Sequence, residues 1–290
     1  MIPRQYVFTA VVAMVMSLII VHFGAPRGSG GANKETAYDR VIKTRTLRCA
    51  YAEYPPTLTI DPNTRALSGI FPDMLEEFGK RAGIKIEWTE EVGWGQINQG
   101  FITGRYDAFC AGLWPSASRS VTTLFTRPIF YDPISAFVRT DDTRFDNNWQ
   151  KANAPEYKIT ATLGDASATM ADALFPNAQR FLGTETQSIA DIINDTVAGK
   201  ADITLRDLIS ADMYLRSNPG KIRDISPGKP LLIYPIVIGM GPGEHDLKNM
   251  LDAGIYELQQ DGTVEMLIKK YMGEKASLFS HEVREFKAFE

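Results

Sequence analysis

The apolar pattern changes period along the chain, from continuous runs to helical spacing and back, and it does so twice. In the first round, Thr46–Tyr51 predicts a strand, stopped by Pro55 and Pro56. Ser68–Gly83 has helical spacing, with Met74, Leu75, Phe78 and Ala82 on one face. Asp73 and Glu76 predict its capping box and Gly83 its end. Ile84–Trp88 alternates like a strand. Trp94–Ile102 predicts a short helix with Trp94, Ile97 and Phe101 inward. Asp107–Leu113 is a continuous apolar run, as expected of a parallel strand covered on both faces.

The second round repeats that order. Tyr157–Leu163 predicts a strand, Gly164 to about Leu174 a helix, Gln179–Leu182 a strand, Ser188–Ala198 a helix and Ala201–Leu205 a strand. The third strands are introduced alike, by Gly104-Arg105-Tyr106-Asp107 and by Gly199-Lys200-Ala201-Asp202. Two similar α/β units follow, rather than one sheet. Beyond them come a strand at Leu231–Met240, a helix at Asp246–Leu258, a turn at Asp261-Gly262 and a helix at Val264–Met272, closed by Gly273. The charged tail, Glu274–Glu290, reads as a surface helix or a disordered end.

Two such units, joined by extended segments at Phe125–Pro133 and near Tyr234-Pro235, leave a cleft outside the carboxyl ends of their strands, where ligands bind open α/β sheets. The first unit offers Tyr54, Trp94, Trp114, Ser116, Ser118 and Arg119 there. The second offers Asp165 and Ser167 at a helix N-terminus, and Arg206 and Asp207 at the end of its third strand. Arg119 and Asp207 suit a zwitterion: a guanidinium binds a carboxylate bidentately, and a carboxylate accepts from an ammonium group. The aromatic residues add apolar and cation–π walls. Taken alone, an arginine after a strand is more often structural, and an aspartate at a strand end more often caps a helix. Their matched positions in two repeated units favour the cleft.

Composition narrows the classes. The 290 residues are 44% apolar and 23% charged, with net charge −4 and no basic stripe for nucleic acid. The two cysteines and three histidines have no metal-ligand spacing, so neither a metal nor a cofactor is expected. Cys49 and Cys110 fall on strands that can be neighbours. They read as two buried thiols, although an exported chain permits a disulfide. Residues 1–32 have the order of a secretory signal: Arg4, an apolar run from Tyr6 to Phe23, then small residues. Cleavage after Ala32 and retention as a membrane anchor are both compatible with that run. Either places the chain in the periplasm, secreted, or tethered to the outer face of the inner membrane.

The motifs LRCAYAEYPP, LSGIFPDMLEEFGKRAGIKIEW, WGQINQGFITGRYDAFCAG, SRSVTTLFTRPIFYDP, GKADITLRD and LKNMLDAGIYELQQDGTVEMLIKKYMG occur in this order. Through them the chain, from Val41 to Gly273, resembles the family 3 extracellular solute-binding proteins, the amino-acid-binding receptors of ABC importers. The resemblance implies a two-lobed, periplasmic-binding-protein-like fold of type II, each lobe an open, mostly parallel sheet flanked by helices, with a two-strand hinge. Lobe 1 would span 41–138 and 235–273, lobe 2 139–234, with 274–290 a tail. The family's carboxylate-binding arginine falls on Arg119, its ammonium-binding acid on Asp207 and its aromatic walls on Tyr54 and Trp94. Its hydroxyl beside the arginine loop is replaced by Trp114, and the one in the second lobe by Ala166, with Ser167 next to it. The implied function is capture of a small polar solute, an amino acid or related carboxylate, by a monomer that delivers it to an inner-membrane ABC permease. Two other readings stay open: a dehydratase or lyase of the cyclohexadienyl type, with Glu53 or Asp207 as acid or base and His245 as a surface residue, and a sensory or accessory module.

Overall fold

A computed structural model describes residues 35–162, 166–184 and 186–279. The expected signal or anchor lies outside the described residues. Among the described residues, no helix is long and apolar enough to cross a membrane.

The chain enters through α1 (Ala37–Thr44) and β1 (Thr46–Tyr51). A small hairpin, β2 (Thr59–Ile60) and β3 (Leu67–Ser68), leads to α2 (Ile70–Ala82), β4 (Lys85–Glu91), α3 (Ile97–Thr103) and β5 (Ala108–Leu113). After the short α4 (Ala117–Ser120) and β6 (Leu124–Phe125) comes the long β7 (Phe130–Arg139). The second half holds β8 (Lys158–Thr162), α5 (Ala166–Leu174), β9 (Gln179–Gly183), α6 (Ile189–Val197), β10 (Thr204–Asp207), α7 (Leu208–Ser217) and β11 (Ile222–Asp224). The chain then returns through β12 (Leu232–Met240) to α8 (His245–Gln260) and α9 (Thr263–Met272).

The first half is built on parallel strands, β4-β1-β5. Every residue of β5 is buried, which explains its unbroken apolar run. In α2 the apolar face carries Phe71, Met74, Leu75 and Phe78 into the core. Asp73 does not cap this helix: Gly69 occupies the N-cap position, and Asp73 Oδ2 accepts instead from Lys270 Nζ at 2.7 Å and Tyr271 Oη at 2.6 Å, joining α2 to α9. Trp94 likewise lies before α3, in the turn, rather than within the helix.

The halves are joined through two crossing strands. β12 pairs antiparallel with β7 over Leu232–Ile236, then switches to β5 from Val237 onward. β7 in turn pairs with β10 and β11 over Ile134–Arg139. One hydrogen-bonded path, β10-β7-β12-β5-β1-β4, therefore runs through both halves, whose sheets the sequence presents as separate. In the second half β8 and β9 pair in parallel, and β8 bridges to Ile203 just before β10.

Cys49 and Cys110 are not thiols but a disulfide. Cys49 pairs with Ala108 in the parallel register, so Cys110 stands diagonally across the same face, and the Cα atoms are 5.5 Å apart. That separation lies within the range a bridge needs; the diagonal offset relieves the poor geometry of directly opposed positions. A second tie holds the first half together. The Asp107 side chain is buried and takes Arg40 and Arg48, the latter at 2.9 Å, while also accepting from Arg48 N at 2.8 Å.

Candidate functional site

The two halves face each other across a cavity of about 20 Å³, roughly the room of one water. Its described lining comes from strand ends, the segments that follow them and one helix, as the open α/β architecture dictates. Tyr54 follows β1; Gly112, Leu113 and Trp114 end β5. Thr162 ends β8, Arg206 lies on β10, and Ile189 and Ile192 stand on α6. Trp94 completes the aromatic wall: its ring meets Tyr54 edge-on at 5.7 Å and Phe109 at 5.7 Å. Trp114 packs edge-on against Tyr234 of β12 at 6.2 Å.

The expected residues are brought together unevenly. Tyr54, Trp94 and Trp114 line the cavity. Arg119 is buried and does not line it. Its guanidinium donates to the carbonyls of Trp114 at 3.3 Å and Trp94 at 3.0 Å, so it braces the two tryptophans. Ser167 is buried at the start of α5, where its hydroxyl accepts from Thr162 N at 3.0 Å. Asp165 lies outside the described residues. Glu53 and His245 are exposed, so the acid–base role considered for Glu53 has no support from its position.

Asp207 divides its oxygens between two roles. Oδ1 caps α7, accepting from Ser210 N at 2.7 Å. Oδ2 is buried and makes no hydrogen bond among the described residues. Burial raises the Asp207 carboxyl above its ordinary pKa, against the lowering effect of the Ser210 bonds and of Arg206.

Asp132 belongs to the same cluster. It sits on β7 opposite Tyr234, while Asp207 pairs with Ile134, so the two acids share one sheet face on neighbouring strands. Asp132 is 2% exposed, and its Oδ2 accepts from Tyr54 Oη at 2.6 Å. Trp114 Nε1 acts on the same carboxyl without hydrogen-bonding geometry, and Asp132 Oδ1 is also without a partner among the described residues. Burial, then the charge of Asp207, pushes the Asp132 carboxyl well above its usual range. Burial, then both acids, does the same to the Tyr54 hydroxyl. Asp132 gives no sign of this in the sequence, because Tyr-Asp-Pro in an extended crossover reads as a turn. Arg206 is visible beside Asp207, but the residue that turns toward the cavity is fixed only by the register of β10 on β7.

A mixed α/β sheet flanked by helices, two halves crossed by two strands, and an aromatic cleft between them define the two-lobed, type II fold of periplasmic amino-acid-binding proteins. Residues 47–274 match the bacterial extracellular solute-binding proteins, family 3, and the chain belongs to that family. Among curated relatives it is 23% identical over 280 residues to the L-cystine-binding protein TcyA of Bacillus subtilis (strain 168), covering 91% of this chain and 98% of that one. It is 26% identical over 208 residues to a protein of Campylobacter jejuni described as a probable histidine-binding protein, covering 71% and 77%. Two solved structures share the fold. One is the ancestral amino acid-binding protein AncCDT-1, a precursor of cyclohexadienyl dehydratase (TM-score 0.68, 22% identity, 81% of this chain and 99% of that one). The other is Tv2483 bound to L-arginine (TM-score 0.71, 16% identity, 86% and 98%).

Proposed function

We propose that this protein captures an amino acid or a related amine-bearing carboxylate outside the cytoplasm and presents it to an ABC importer in the inner membrane. The observation that carries this reading is the cleft itself. Tyr54, Trp94 and Trp114 from one half and Arg206 from the other line one cavity, and Asp207 is buried next to Arg206. That arrangement can desolvate a small zwitterion between a guanidinium and a carboxylate. The curated relatives, named for binding cystine and histidine, support the ligand class. The lobes are taken as 41–138 with 235–273, and 139–234, with β7 and β12 as the hinge. Residues 1–32 are taken as the export signal or anchor.

In this reading Asp207 Oδ2 accepts from the ligand's ammonium group. Arg119 has two routes to affinity: directly, as the carboxylate anchor once the lobes separate, or through the tryptophans it braces. Isothermal titration of the protein with a panel of amino acids, cystine included, tests the reading. Asp207→Asn and Arg119→Ala should each weaken the tightest-binding compound by about 30-fold or more, as expected when one partner of a buried charge pair is lost, at about 2–5 kcal/mol. Binding by both variants as tight as the parent's would show that the site lies elsewhere. No covalent step is required. Turnover of prephenate-like compounds would instead favour the dehydratase reading.

A further inference from the structure

The ammonium site proposed above has one acid, Asp207. A second acid, Asp132, stands beside it on the neighbouring strand. Asp132 and Asp207 lie on the same face of adjacent strands, each 2% exposed, and each keeps one carboxylate oxygen without a hydrogen bond among the described residues. We propose that Asp132 is a second acid of the ligand site, and that the two carboxyls together take a protonated amine, which displaces a proton they hold between them when no ligand is bound. The proposal rests on the amine-bearing ligand class of the preceding reading and adds a residue and a linked proton to it.

The charges around the pair support this. From the loop after β1, Tyr54 donates to Asp132 Oδ2 and acts on Asp207 as well. Trp114 acts on Asp132 from the end of β5, and Tyr234 stands opposite it on β12. Among the described residues, the cation with a leading influence on these groups is Arg206, and it acts on Asp207 and Tyr54. Among the described residues, the groups acting on Asp132 are Asp207, Tyr54 and Trp114, none of them a cation. One guanidinium can offset one carboxylate. A second carboxylate in a dry site must then hold a proton or meet another cation. A primary ammonium has three donors, enough to serve both unpartnered oxygens. In binding, the amine arrives protonated, the shared carboxyl proton leaves to solvent, and no bond to carbon changes.

The sign of the pH effect follows. The ligand-free pair holds more protons than the complex, so affinity rises with pH until the pair ionises unaided, by up to about tenfold per pH unit. The test begins with ligand-free protein. Infrared difference spectra at neutral pH should show the carbonyl band of a protonated carboxylic acid, and Asp132→Asn should remove it, because Asp132, with no cation acting on it among the described residues, holds the larger share of that proton. Absence of the band in the parent, or its persistence in Asp132→Asn, overturns the proposal. Calorimetry with the L-amino acid panel, in buffers of differing ionisation enthalpy, should show about one proton released per ligand bound. Asp132→Asn should release none and should lose the pH dependence. A purely structural role for Asp132, holding Tyr54 in place, would alter affinity but leave proton release unchanged, and that result also overturns the proposal. If no amine-bearing compound binds, the ligand class fails and the amine step fails with it. The carboxyl band, if present and sensitive to Asp132→Asn, then shows that the acid pair itself was correctly described.

Discussion

Single residues in this cleft do two things at once. Asp207 caps α7 with one oxygen and keeps the other buried, without a hydrogen bond among the described residues. The helix-cap reading of such an aspartate is met by one oxygen, and the proposed ammonium contact would use the other. Gly112 is a second case. Its φ is +81°, and a Cβ there would meet the Phe71 ring at 2.3 Å and 2.4 Å and Ile236 at 2.8 Å. It also lines the cavity, two residues before Trp114. Gly112→Ala should cost about 2 kcal/mol or more through overpacking, lowering Tm by roughly 5 °C in a thermal melt. An unchanged Tm would mean that Phe71 has room to move. At this scale the sequence shows which residue types are available and says little about contact. Tyr54 and Trp94 are recognisable as cleft walls from the strand ends they follow. The bond from Tyr54 to Asp132 spans 78 positions and depends on how β7 aligns with β12, which no local pattern encodes.

Among the elements, those carrying a strong period are also those legible in the sequence. β1 begins and ends where its pattern does, and α6 differs from its expected span by a residue at each end. Short or weakly patterned elements escape: α1 and the β2–β3 hairpin have too few residues, and α7 too mixed a face, to stand out. The capping box expected at Asp73 is absent, because Gly69, at φ 133°, already turns the chain into α2. A capping box does occur at α6, where Ser188 Oγ accepts from Asp191 N at 3.1 Å and Asp191 Oδ2 accepts from Ser188 N at 3.1 Å. That helix carries Ile189 and Ile192 to the cavity. Ser188→Ala should destabilise the protein by about 1 kcal/mol, measured by denaturant unfolding. Because the first turn of α6 is also a cavity wall, ligand affinity should fall modestly with it. A stability loss with affinity intact would detach the wall from the cap.

For the molecule as a whole, a cavity of about 20 Å³ is far too small for an amino acid, so ligand entry requires the halves to separate. The β7–β12 crossing is the place for that movement, since β12 leaves β7 for β5 at Val237. Small-angle scattering should give the ligand-free protein a larger radius of gyration than the closed arrangement described above, with contraction on adding the tightest-binding amino acid. A radius that matches the closed form and does not respond to ligand would argue against opening. The Cys49–Cys110 bridge bears on every such measurement. It fastens together β1 and β5, the two strands whose ends carry Tyr54 and Trp114, so the aromatic walls are aligned by a bond that forms only in an oxidising compartment. A batch made in the cytosol and one secreted from the cell are then two different reagents, and a weak binder from the first could become a tight one from the second with no change of sequence.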